Sequence, residues 1–162
     1  MTLTDFCEYT EVRAILGIEP RDLEDTTLAL SLYARLLSLA LADLSPTLES
    51  DYLVVKQKVS KTPGEQKFMD LVQVFSGYAV ARELLTALPQ FAAMRVVRGK
   101  DTYERQIDPE AIKEAVLAAI GRLSAPVLAT YAALFPTNTT SSAPRRTLFS
   151  NSALGTDPVT GA

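Results

Sequence analysis

Histidine is absent from this chain, and cysteine occurs once, at Cys7. The first absence removes both the commonest general base and the commonest metal ligand of proteins. The second excludes a disulfide within the chain and makes a reducing compartment its natural home. Phosphate-cradling loops are missing too. Neither GxGxxG nor GxxxxGK[ST] occurs, and Gly99-Lys100 lacks the preceding glycine and the following hydroxyl of such a loop. The opening Met1-Thr2-Leu3-Thr4-Asp5 has neither the basic flank nor the apolar run of a secretory signal, so cytoplasmic synthesis is expected. The most hydrophobic stretch, Leu28 to Leu44, is interrupted by Arg35 and Asp43, which predicts a buried helix and no membrane partner.

Chemistry by other residues finds little footing. Cys7 has no histidine to activate it, and its acidic neighbours are expected to raise its pKa. Glu24-Asp25 and Asp101 with Glu104 are the only close carboxylates worth weighing, and acidic residues in polar connections read as caps and solvated surface. No local pattern suggests a serine with a lysine base. The expectation is therefore no catalytic residue, no metal and no cofactor.

What is present is a globular composition. The chain has 162 residues, 48% hydrophobic and 22% charged, enough for one domain with a real core. Its net charge of −3 argues against a protein devoted to neutralising nucleic-acid phosphates. The charge is polarised. Within residues 1–25 seven acidic side chains face only Arg13 and Arg21, whereas Arg95, Arg98, Lys100 and Arg105 form a basic cluster tempered by Asp101 and Glu104. Such a chain can stack head to tail on copies of itself or on a partner, so these four basic residues are candidate subunit or tail contacts. Solvated surface is the plainer reading of the same pattern.

The periodicity is helical throughout and predicts an all-α fold, a compact bundle of about four to five helices over residues 1–135. A short helix runs to Leu16, with Thr10 as its cap and Gly17 closing it in the left-handed conformation. A second, from about 26 to 44 with Asp25 or Thr26 as cap, carries two apolar rows. One is Leu28, Leu32, Leu36 and Leu39; the other is Leu30, Tyr33, Leu37, Leu41 and Leu44. A helix so apolar needs cover on more than one side: it is the central helix of the bundle, or another subunit covers one face. A third helix spans 47–61, with Pro46 at its start and Tyr52, Val55 and Val59 inward. A fourth spans 65–87, with Phe68, Val72, Phe75 and Ala79 on one face, Leu71, Tyr78 and Leu85 beside it, and Gly77 allowing a close crossing. Pro89 marks a kink or restart before Phe91 to Met94. Residues 95–107 read as an irregular connection. A last helix, capped by Asp108 and begun by Pro109, runs to about Phe135 and is bent or interrupted near Pro126.

After Phe135 the composition changes. Pro136 to Pro144 is polar and bounded by prolines, with almost nothing to bury, so residues 136–162 are expected to form an extended C-terminal arm that does not fold alone. Within it Pro144, Arg145, Arg146, Leu148 and Phe149 form a compact basic and apolar anchor, the candidate partner-binding residues. A plain disordered terminus is the alternative.

Two motifs resemble a known family. The run Phe6-Cys7-Glu8-Tyr9-Thr10-Glu11-Val12-Arg13-Ala14-Ile15-Leu16-Gly17, followed by Asp22-Leu23-Glu24-Asp25-Thr26-Thr27-Leu28, resembles the opening of small tailed-bacteriophage virion proteins. In these a short helix ending in Leu-Gly precedes an acidic connection and a long apolar helix. Arg98-Gly99-Lys100-Asp101-Thr102-Tyr103-Glu104-Arg105 looks like the Gly-Lys…Arg signature between their last helices. The resemblance covers about two-thirds of the body and is strongest for head-to-tail connector (adaptor, or head-completion) proteins. It implies a homo-oligomeric ring, usually of twelve copies, at the head-tail junction of the virion. It further implies a C-terminal arm on the portal protein, a body that receives the tail or a tail-completion protein, and DNA passing through without specific binding. No long insertion loop is evident in the body, so the arm is assigned to the C-terminus alone. Another helical assembly or adaptor protein, such as a scaffold-like chaperone or regulatory subunit, is the competing reading. A helical nucleic-acid-binding domain or a helical enzyme stands behind it.

Overall fold

The computed structural model of the chain describes residues 2–85, 95–98, 101–104 and 109–136. Most of these residues are helical. A single 3-10 turn at Leu3–Asp5 is followed by α1 (Tyr9–Leu16), α2 (Asp25–Leu28), α3 (Ser31–Leu44), α4 (Leu48–Gln57), α5 (Pro63–Leu84) and α6 (Pro109–Leu134). Between α5 and α6 lie two short antiparallel strands, β1 (Arg95–Arg98) and β2 (Asp101–Glu104).

The hub of this arrangement is α5. Its start follows from three adjacent residues: Thr62 caps it by accepting the Glu65 amide at 3.3 Å, Glu65 reaches back to the Thr62 amide at 2.8 Å, and Pro63 occupies the first turn. Phe68, Val72, Phe75 and Ala79 are all buried, as the periodicity predicts, and so are Met69, Ser76, Val80, Ala81 and Leu84. These residues spread around most of the axis, and α5 packs against α1, α3, α4 and α6, while Lys67, Asp70, Val74 and Arg82 keep one side of it exposed. The central helix is thus α5 rather than the leucine-rich second helix. At Gly77 a β-carbon would lie 3.2 Å from Cδ1 of Ile15, which is how closely α1 crosses α5 there.

The predicted second helix is in fact two. Leu30 leaves the helical region, with φ −59° and ψ 133°, and separates α2 from α3. In one continuous helix Leu28 would share a face with Leu32 and Leu39, since steps of 4 and 11 residues return to nearly the same direction. The break re-aims it. Leu28 becomes fully buried, while Leu32 and Leu39 stay exposed. The described residues therefore contain six helices rather than four or five.

Several helix ends also differ from expectation. The cap of α1 is Glu8, whose amide is held by the Glu11 carboxylate at 3.0 Å, and Thr10 lies inside the first turn with its hydroxyl on Glu8. Gly17 closes α1 at φ 66°, as predicted. Glu24, not Asp25 or Thr26, precedes α2. Pro46 falls in the turn before α4. Because α4 stops at Gln57, the helical spacing that would carry Val59 inward no longer applies, and Val59 is fully exposed while Tyr52 and Val55 are buried. The last described turn of α5 ends at Leu84 rather than 87. Helix α6 runs without interruption through Pro126, an exposed position. Asp108, Pro89, Phe91 to Met94 and the arm from residue 137 lie outside the described residues.

A chain of rings closes the bundle at one end. Phe6 stacks on Tyr52 with centroids 4.7 Å apart, Tyr52 meets Phe68 at 6.2 Å, Phe68 meets Tyr131 at 5.9 Å, and Tyr131 meets Phe135 at 5.2 Å. The Tyr131 hydroxyl donates to Asp51 Oδ2 at 2.6 Å and takes the Thr47 hydroxyl at 2.6 Å, tying the end of α6 to the start of α4. Phe68→Ala should cost about 3–5 kcal/mol by opening a cavity among the three rings it touches, Tyr52, Tyr131 and Phe135. Tyr131→Phe keeps the ring and should cost only about 1.5–3 kcal/mol, through the lost bond to a charged acceptor. Urea denaturation of both variants checks the ranking.

Candidate interaction surfaces

Helix α3 has two faces of different fate. Its inner side buries Ala34, Leu37, Ala40 and Leu41. On its outer side Leu32 is 55% and Leu39 64% exposed, with Leu30 at 53% just before the helix. Arg35 is exposed between Leu32 and Leu39, and it makes no ion pair or hydrogen bond among the described residues. Of the two possibilities for this leucine-rich helix, the single chain leaves the row of Leu32 and Leu39 uncovered.

Helix α6 repeats the pattern. Val116, Ala119, Val127 and Tyr131 face inward toward α5. Its outer side exposes Leu117 and Leu128 at 48% and 37%, with Ala118, Gly121, Ala125 and Ala129 between and beside them. Around Gly121 there is open space. Glu114, exposed on that outer side, has no partner among the described residues. Among those residues α6 alone is long and apolar enough to cross a membrane, by length and composition only.

Half of the basic cluster falls on a described strand. Arg95 and Arg98 belong to β1, whereas Lys100 and Arg105 lie outside the described residues. Within the segment expected to be an irregular connection, residues 95–98 and 101–104 instead form an antiparallel pair. Its register places Arg95 across from Glu104 and Arg98 across from Asp101. The signal for this hairpin is legible: Val96, Val97, Thr102 and Tyr103 favour strands and flank a two-residue Gly-Lys connection. Pro144, Arg145, Arg146, Leu148 and Phe149 lie outside the described residues.

Other charged groups have structural work that composition hides. Arg13, counted from sequence among the surface charges, is buried. Its Nε donates to the Leu23 carbonyl at 2.7 Å and its guanidinium pairs with Asp25, pinning the 18–24 connection to α1. Asp25 is thereby a tie, and the Glu24 carboxylate accepts the Thr26 hydroxyl at 3.1 Å. Lys56 donates to the Asp5 carbonyl at 2.7 Å, joining α4 to the N-terminal turn. Among the described residues no three metal-binding side chains come together. Cys7 is buried, and burial first, with the Glu11 charge second, pushes its thiol up to about 12.

Compared with protein families, curated proteins and solved structures, the chain matches none.

Two consequences are measurable. Cys7 should stay unlabelled by a maleimide at pH 8 in the native protein and react fully in denaturant. Glu65 is held at about 2, below its ordinary 4.5, by its bond from Lys58 and then by the Thr62 amide. A depressed carboxylate contributes stability above pH 4.5 and loses it as the pH falls toward 2. Denaturation midpoints of the wild type should therefore fall more steeply across that window than those of Glu65→Gln.

Proposed function

We propose that this chain is a structural virion protein that forms a ring between the portal vertex of the capsid and the tail. The observation that carries the reading is the leucine face of α3, exposed in the single chain although a soluble helix ordinarily covers such a row. The likeness of residues 6–28 and 98–105 to head-to-tail connector proteins supplies the class. In this reading the helical body makes the wall of a homo-oligomer, with twelve copies as in such connectors. The segment 136–162 is the arm that docks on the portal through Pro144, Arg145, Arg146, Leu148 and Phe149. Many tethered weak anchors acting together give high avidity without any single strong contact. The basic positions Arg95, Arg98, Lys100 and Arg105 are offered to a neighbouring subunit or to the tail. An acidic body suits a channel through which DNA slides without being held. The protein carries out no reaction and needs no cofactor.

A helical assembly or adaptor protein of another kind is the second reading, supported by the same exposed face. The two separate on partner choice. Mixed with the portal protein encoded by the same genome, the chain should pass from a small species to a ring seen by electron microscopy and mass photometry. Deleting residues 136–162 should abolish docking and leave the helical circular dichroism unchanged. Normal docking by the truncated chain would overturn the arm assignment, and failure of the full chain to bind any portal would favour the second reading.

A further inference from the structure

We infer that the outer face of α3 on one copy seats against the outer face of α6 on the next, a heterologous contact that repeats around an assembly. The inference rests on the assembly reading above for its premise that copies of this chain meet. Helix α3 packs on α5, α4 and the N-terminal turn, and α6 on α5, and each leaves exposed apolar side chains on its outer side, Leu32 and Leu39 on α3 and Leu117 and Leu128 on α6. Pairing either face with itself would cover one and leave the other open; a contact between unlike faces covers both and continues from copy to copy.

Shape and charge favour the same choice. The α3 face is made of large knobs, Leu32 and Leu39, whereas the α6 face has a low floor at Ala118, Gly121 and Ala125, with Leu117 and Leu128 along one edge and the exposed Arg122 along the other. Leucines fill such a floor as ridges fill a groove, and they would find no floor on a second α3. Helix α3, at about 21 Å for its 14 residues, fits within the length of α6. Arg35 stands in the middle of the α3 face and Glu114 on the outer side of α6, each without a partner among the described residues. Opposite charges meet in the α3–α6 contact, whereas a two-fold α3–α3 contact centred on this face would set Arg35 against Arg35.

The test uses the full chain, with Leu39→Cys and Ala118→Cys as separate variants, a short bismaleimide as crosslinker, and the wild type as blank. Both substituted positions are exposed, and Cys7 is buried. An equimolar mixture of the two variants should give a covalent dimer that neither gives alone, and a chain carrying both cysteines should give a ladder of multimers. Arg35→Glu placed in the first variant, or Glu114→Arg in the second, should abolish the dimer, and both together should restore it. Dimers from Leu39→Cys alone or Ala118→Cys alone, or no product from the mixture, would overturn the inference. So would flotation of the chain with phosphatidylglycerol–phosphatidylcholine vesicles, which would make the α6 face a lipid contact. A portal-bound ring without the ladder defeats this contact and leaves the connector reading standing; a ladder without portal binding does the reverse.

Discussion

The aromatic contact between Phe68 and Tyr131 holds together parts of the chain more than sixty residues apart. Around it the other rings accumulate: Tyr52 and Phe6 on one side, Phe135 on the other. The rings come from the N-terminal turn, α4, α5 and the end of α6, so this one cluster joins four parts of the chain. Stacked and edge-on rings add about 0.5–1.5 kcal/mol per pair beyond the area they bury. The hydroxyl of Tyr131 then meets Asp51 and Thr47 rather than being stranded in the core. Position follows as well as stability, because Pro136 departs from this fixed corner.

With α5 in contact with four helices, α3 and α6 each keep one side outside those contacts. That division explains why a sequence so rich in leucine and alanine leaves two apolar faces in solvent. Helix α3 gives Leu37, Ala40 and Leu41 to the core, and Leu28, set before the break at Leu30, joins the same cluster. The surplus leucines are outward by construction, and an outward apolar row is a request for a partner. Buried Arg13 shows the opposite economy: a charge is taken inside to hold a connection, and it is tolerated because Asp25 and the Leu23 carbonyl satisfy it.

Much of the fold is legible in the order of the residues. Gly17 at a left-handed helix end, the Thr62-Pro63 start of α5 and the burial of Phe68, Val72, Phe75 and Ala79 all follow from local geometry that a few residues decide. Other features are not legible because two local solutions compete. Thr10 and Glu8 are both fair caps, and Glu8 prevails because Glu11 lies three residues on to complete the box. Val59 has the right spacing for the core, but spacing stops mattering once the helix has ended. The strands at 95–104 show the reverse failure: β-branched residues around Gly-Lys pass for an irregular connection because the segment is short and charged. The leucine row of α3 is evident in the sequence, whereas its exposure is not.

By itself the sequence determined that this is a mostly helical chain with several strong helix boundaries and more apolar helix surface than one small domain readily covers. Helical period, capping chemistry and composition are local properties, and local properties can be read in order along a chain. Only the tertiary structure decided which helix lies at the centre, which of the two leucine rows is turned outward, and that Arg13 is inside. Those outcomes depend on which faces meet across long sequence separations. A two-residue break such as that at Ala29 and Leu30 rotates everything before it relative to everything after, and periodicity alone carries no record of it.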